Sequence, residues 1–138
     1  MSEEDPSQAF TRFFTLDEAN SLIPQFTDWM GSLRLLHRQV VERMEQREQE
    51  SKGNGRAKLK VEELRQDLED VTTLADHIKH LADKINATGA IVKDLDLGLV
   101  DFPHFREGRV VYLCWMHGEP HIGFWHETNE GATGRQAI

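Results

Sequence analysis

The residues best suited to chemistry crowd into one stretch, Gly108 to Glu127, reading GRVVYLCWMHGEPHIGFWHE. It holds the only Cys, the only Tyr, two of the three Trp and three of the seven His of the chain. His126 and Glu127 are adjacent, and Asp101, Arg109 and Glu119 lie within reach in sequence. Imidazole and carboxylate together can ligate a divalent metal or pass a proton, and a guanidinium can hold an anionic substrate. His126, Glu127, Asp101 and Glu119 are therefore the candidate catalytic residues, and Arg109, Arg135 and Lys93 the candidate ligand-binding residues. His126, Glu127 and Asp101 double as weak metal candidates. Neither an HExxH pair nor two spaced ligands on one strand supports a metal, so the sequence assigns no metal and no cofactor. The competing reading is that buried Arg and carboxylate groups satisfy one another between packed elements.

Cys114 is a potential nucleophile if a histidine, such as His121 across a ribbon, lies beside it. Flanked by Leu113 and Trp115 in a strand, it reads better as a small core residue. Asp94, Asp96 and Gly98 form a fragment of a calcium loop, but the third acidic position and the distant Glu are missing. His77 and His80 fall on the outward face of a helix. His37 replaces an apolar residue inside a helical stripe and reads as a satisfied core histidine.

Positioning these groups falls to strands. After Gly89 the pattern changes to short extended pieces: Ala90 to Lys93, then Leu99 to Phe102, which Pro103 is expected to stop. Arg109 to Trp115 is the strongest strand, and Ile122 to His126 should return as its antiparallel partner after a turn at His117-Gly118-Glu119-Pro120. That register puts Arg109, Val111, Leu113 and Trp115 on one face with Ile122, Phe124 and His126. Val110, Tyr112 and Cys114 then share the other face with His121, Gly123 and Trp125. Both faces carry large apolar residues, which implies that both are covered.

The strands in turn need a scaffold. Thr15 followed by Glu18 is a capping box opening a helix. Ala19, Ile23, Phe26, Met30, Leu33, His37, Val40 and Met44 then repeat at alternating four-three spacing, a coiled-coil seam widened by Leu22, Trp29 and Leu36. Pro24 should kink the helix or restart it after a short first segment. The pattern dissolves into charge before Lys52-Gly53-Asn54-Gly55, which reads as a hairpin tip. A second helix follows with Val61, Leu64, Leu68, Val71, Ala75, Ile78, Ala82 and Ile85 in the seam, ended by Gly89. Two helices cannot bury so wide a stripe alone, so the excess must face the C-terminal segment, another subunit, or both.

Composition limits the function classes. The chain of 138 residues is one domain's worth, with a net charge of -8 and both halves acidic. Neither half offers a basic surface for phosphates, so nucleic-acid binding is disfavoured. No apolar run is long enough to span a bilayer, and the acidic N-terminus is unlike a signal peptide. A single cysteine fits a reducing cytoplasm.

The chain also resembles a small uncharacterised bacterial family, catalogued only as a domain of unknown function. The resemblance rests on Phe14-Thr15-Leu16 with Glu18-Ala19-Asn20 and Pro24, on Gly89, Val92 to Asp96 and Gly98 to Pro103. It continues through Gly108-Arg109, Val111, Leu113-Cys114-Trp115, Gly118-Glu119, Ile122, Trp125-His126-Glu127 and Gly134-Arg135. It implies a fold type and a bacterial cytoplasmic origin, and it carries over no catalytic residue.

The expected protein is a single α+β domain. Residues 1–13 form a disordered tail, 15–88 a long antiparallel helical hairpin with its tip near 51–57, 90–127 a small antiparallel β-ribbon, and 128–138 a polar tail. The surplus apolar width predicts a homo-oligomer, most simply a dimer. The functional expectation is a non-enzymatic, self-associating interaction or regulatory protein with a charged C-terminal pocket. The alternatives are a small metal-assisted hydrolase and a sensor of a small anionic ligand, using the same pocket. Neither nucleic acid nor membrane is an expected partner.

Overall fold

The structure is a computed structural model that describes residues 10–52 and 61–138. Helix α1 (Leu16–Ser21) opens on the expected capping box: the Glu18 amide donates to Thr15 Oγ1 at 3.1 Å, and the Thr15 amide donates to Glu18 Oε1 at 3.2 Å. The chain breaks at Leu22 and restarts as α2 (Ile23–Lys52), with Pro24 in its first turn, where a missing amide costs nothing. Helix α3 (Val61–Ala87) returns beside α2 and stops at Gly89, whose φ of 98° only glycine adopts freely. Of the tip expected near residues 51–57, everything past Lys52 lies outside the described residues, as do residues 1–9 of the expected tail.

The rest of the chain is a five-stranded antiparallel meander: β1 (Ile91–Asp94), β2 (Leu99–Arg106), β3 (Arg109–Met116), β4 (Phe124–Glu127) and β5 (Gln136–Ala137), in that spatial order. The fold is thus α+β, a helical hairpin with an antiparallel sheet packed on its base. Strand β2 does not stop at Pro103 as expected but continues to Arg106. The Pro103 carbonyl accepts from the Phe14 amide at 2.8 Å, so its backbone points away from β3, to the side where β1 has already ended opposite Asp101. No ladder bond is lost there.

The residues after Thr128, expected to be a tail, form a 3-10 turn (Ala132–Gly134) and then β5 against β4. At the other end, Phe10 meets Phe13 and Tyr112 edge-on, with ring centroids 5.9 and 5.8 Å apart.

The inner face of the sheet carries Val100, Phe102, Val111, Leu113, Trp115 and Trp125 onto Ala19, Ile23, Phe26, Met30, Leu33 and Ile85 of the helices. Phe102 is sandwiched between Phe26, stacked at 5.3 Å, and Phe14, edge-on at 5.2 Å. Each such side chain contributes about 1.5–3 kcal/mol by leaving water. The apolar stripe expected of the helices is therefore buried at the base of the hairpin, where the sheet covers it. His37 lies just beyond this core, half-buried, with Nδ1 3.5 Å from the Asp96 carboxylate, and is not a core histidine.

Candidate functional site

The register of β3 and β4 decides which side chains meet. Tyr112 lies opposite His126, Leu113 opposite Trp125 and Cys114 opposite Phe124. This is shifted by one residue from the expected pairing, and every side chain of β4 changes face. The cause is a longer connection: the Ile122 amide donates to Asn20 Oδ1 of α1 at 2.7 Å, so Ile122 is tied to the helices and the strand begins only at Phe124. Trp125 therefore enters the core, and His126 joins Tyr112 and Cys114 on the outer face.

Asp101, opposite Cys114 on β2, shares that face. Asp101, Cys114 and His126 are 3%, 1% and 2% exposed, so the three chemically active side chains are buried together. One ligating atom from each lies within 4.8 Å of the others, and they are the one such metal-capable group among the described residues. His126 Nδ1 lies 2.8 Å from the Glu127 carbonyl, which only accepts, so Nδ1 carries a proton. Nε2 faces Asp101 Oδ1 at 3.1 Å, and one proton lies between them. Burial lifts the Asp101 carboxyl above its ordinary value, against the opposing pull of His126 and Lys93. Burial, with Asp101 adding to it, pushes the Cys114 thiol up to about 12. Arg135 pulls the other way but does not outweigh burial, so Cys114 is a neutral thiol near neutral pH. Its neighbours are Asp101 and His126, whereas the expected partner His121 is exposed.

The cluster opens on a cavity of about 190 Å³ lined also by Lys93, Asp94, Glu130 and Ala132. Lys93 lays its ammonium over the Tyr112 ring, 4.6 Å from the centroid. The segment after β4 forms the outer wall of this cavity.

The other candidates lie elsewhere and in pairs. Arg109 Nε donates to Glu127 Oε1 at 3.0 Å at the exposed ends of β3 and β4, and this contact lowers the Glu127 carboxyl and raises Arg109. Glu119 Oε1 accepts from the Met116 amide at 2.6 Å and from Arg135 at 2.7 Å, bracing the turn after β3. Arg135 also stacks over Phe124 at 4.1 Å and donates to the Cys114 carbonyl at 3.3 Å. The structure therefore distributes the predicted residues over three places: a buried Asp101–His126 pair, an exposed Arg109–Glu127 pair and a half-buried Glu119–Arg135 pair. Cys114, read from sequence as a core residue in preference to a nucleophile, belongs to the first.

Asp94 and Asp96 serve the β1–β2 turn instead of a calcium ion's shell. Asp94 Oδ1 accepts from the Leu97 amide at 3.1 Å, and Arg34 donates to the carbonyls of Leu95 and Asp96 at 3.2 and 2.7 Å. His77 and His80 are exposed, as their helical positions predict.

A second surface stands out on the distal hairpin. Met44, Val61, Leu64 and Leu68 are 63%, 83%, 42% and 68% exposed, although their spacing continues the seam. Met44, Leu64 and Leu68 line a groove of about 280 Å³ between α2 and α3. Arg43 and Arg47 line its α2 side and Asp67 its α3 side; Arg43 reaches Asp70 at 2.7 Å, and Arg47 pairs with Asp67. Among the described residues no helix is long and apolar enough to cross a membrane.

Comparison with known proteins gives one match: the family described as "Uncharacterized conserved protein (DUF2203)" matches residues 12–138. No curated protein and no solved structure matches the chain.

Proposed function

The chain belongs to that family of uncharacterised conserved proteins, and from this premise we propose that it is a self-associating interaction protein whose helical hairpin docks on a second copy of itself. The observation that carries this reading is the uncovered stripe. Leu64, Leu68 and Met44 keep core-like spacing in a region where the described residues supply nothing to cover them. Solvated helices rarely maintain such a face without a partner.

Charge argues for a second copy as the occupant. The α2 side of the groove is basic at Arg43 and Arg47, and the α3 side is acidic at Asp67 and Asp70. A two-fold axis running along the hairpin sets α2 of one copy on α3 of the other, so that Arg43 and Arg47, paired with Asp70 and Asp67 in their own chain, meet the same carboxylates of the partner while the apolar stripes meet. The alternative two-fold, with α2 on α2, sets like charges together.

The sheet supports a supporting role better than an anion-sensing one. Arg109 and Arg135 are each neutralised by a glutamate, so an anionic ligand has to displace a carboxylate to reach either guanidinium.

The test replaces Leu64 and Leu68 with Asp and measures mass in solution by light scattering, with circular dichroism as the control for folding. Both side chains lie outside the core, unlike Ile78, which packs against it. The expected result is loss of the dimer with helix content retained. A variant whose mass equals that of the unchanged protein contradicts the proposal.

A further inference from the structure

Three ligand types from three adjacent strands converge at one buried point, and their chemistry is more specific than packing requires. Asp101 from β2, Cys114 from β3 and His126 from β4 offer one oxygen, one sulfur and one nitrogen within 4.8 Å of one another. We propose that these three residues bind a single divalent transition metal of the zinc type, with its remaining coordination position facing the cavity beside Lys93 and Glu130. This site is independent of the hairpin surface.

The distances suit such an ion. Bonds of about 2.0–2.3 Å in tetrahedral geometry place ligand atoms about 3.3–3.8 Å apart. Separations of at most 4.8 Å require the ligand atoms to close by at most about 1–1.5 Å. A mixed oxygen, nitrogen and thiolate set selects zinc, cobalt or ferrous iron over magnesium and calcium, which take oxygen ligands.

The charge balance also suits a dication. One carboxylate and one thiolate balance the two charges of a divalent ion while His126 ligates as neutral imidazole, so the occupied site buries no unpaired charge. The Glu127 carbonyl accepting from His126 Nδ1 at 2.8 Å leaves Nε2 as the ligating nitrogen and orients the ring, a support typical of metal-bound histidine. The three-ligand count with an open cavity side is that of a reactive metal site, whereas structural zinc is closed by four protein ligands.

The decisive experiment uses the full chain, stripped of metal with a chelator under reducing conditions and titrated with cobalt(II). Because the chain has a single cysteine, a thiolate-to-cobalt charge-transfer band can arise only from Cys114. The expected result is that band, saturating at one ion per chain and displaced by zinc. Cys114→Ser should abolish it, and Asp101→Asn should weaken zinc binding by about 100-fold or more, since even outer-shell partners contribute 10–100-fold. His77→Ala with His80→Ala should change neither, because those exposed histidines lie on α3. Absence of the charge-transfer band in the folded unsubstituted protein overturns the proposal, as does zinc binding that is lost with His77 and His80 but retained without Cys114.

Discussion

Asp101 and His126 stand on strands separated by β3, yet their side chains reach across it to within 3.1 Å and share a single proton. Both are buried, so each satisfies a polar group that water cannot reach. Replacing Asp101 with Leu leaves His126 Nε2 without a partner and should destabilise the protein by about 1–3 kcal/mol. Asp101→Asn should cost less, because its amide can donate to Nε2. Urea unfolding of both variants checks the order; equal losses would mean that the hydrogen bond contributes nothing.

The core makes a larger demand. Phe102 is fully buried between Phe14 and Phe26. Phe102→Ala should cost about 3–5 kcal/mol, the range for emptying an aromatic site in a packed interior. Leu68→Ala, on the exposed distal hairpin, should change the stability of the isolated chain by about 0.5 kcal/mol or less. Thermal unfolding at low protein concentration separates the two cases.

Gly89 joins α3 to β1 at φ 98°, and an added Cβ would sit 2.9 Å from Arg12 Cβ. Gly89→Ala combines a left-handed backbone with that clash and should lose roughly 1–3 kcal/mol. Chemical denaturation measures it, and an unchanged midpoint would show that the helix end and the segment before α1 can move apart freely.

The cap of α1 gives a prediction in pH. Arg12 and the Thr15 amide and hydroxyl hold the Glu18 carboxyl below its ordinary 4.5. A depressed folded value means that its stabilising contribution is complete above about 4.5 and disappears as pH falls through the lower folded value. Glu18→Gln should therefore lower stability at neutral pH and converge with the unsubstituted protein in acid. Thr15→Ala removes the hydroxyl acceptor of the Glu18 amide and should cost about 1 kcal/mol at neutral pH and somewhat less in acid, where the Glu18 carboxylate is protonated. Denaturant midpoints from pH 7 down to acid test both, and a Glu18→Gln deficit that persists in acid would contradict the assignment.

These residues also show what could be read before any coordinates. Thr15 and Glu18, the four-three spacing from Ala19 to Leu33, and Gly89 are local signals, and each produced the element it announced. Pro103 misled because its cost depends on whether a neighbouring strand lies on its amide side, and β1 ends two residues short. The β3–β4 register misled for a similar reason: Asn20, far away in sequence, captures the Ile122 amide and lengthens the connection. With that register wrong by one, His126 is placed on the wrong face and the grouping with Asp101 and Cys114 is hidden. The parity of 101, 112, 114 and 126 becomes informative only once the pairing is known.

The uncovered stripe on the distal hairpin is the central claim's test. The direct measurement is the mass of the unsubstituted chain by sedimentation across a dilution series. The account predicts twice the 15.9 kDa of one chain at high concentration, falling toward one chain on dilution. A mass of one chain at every concentration would contradict it.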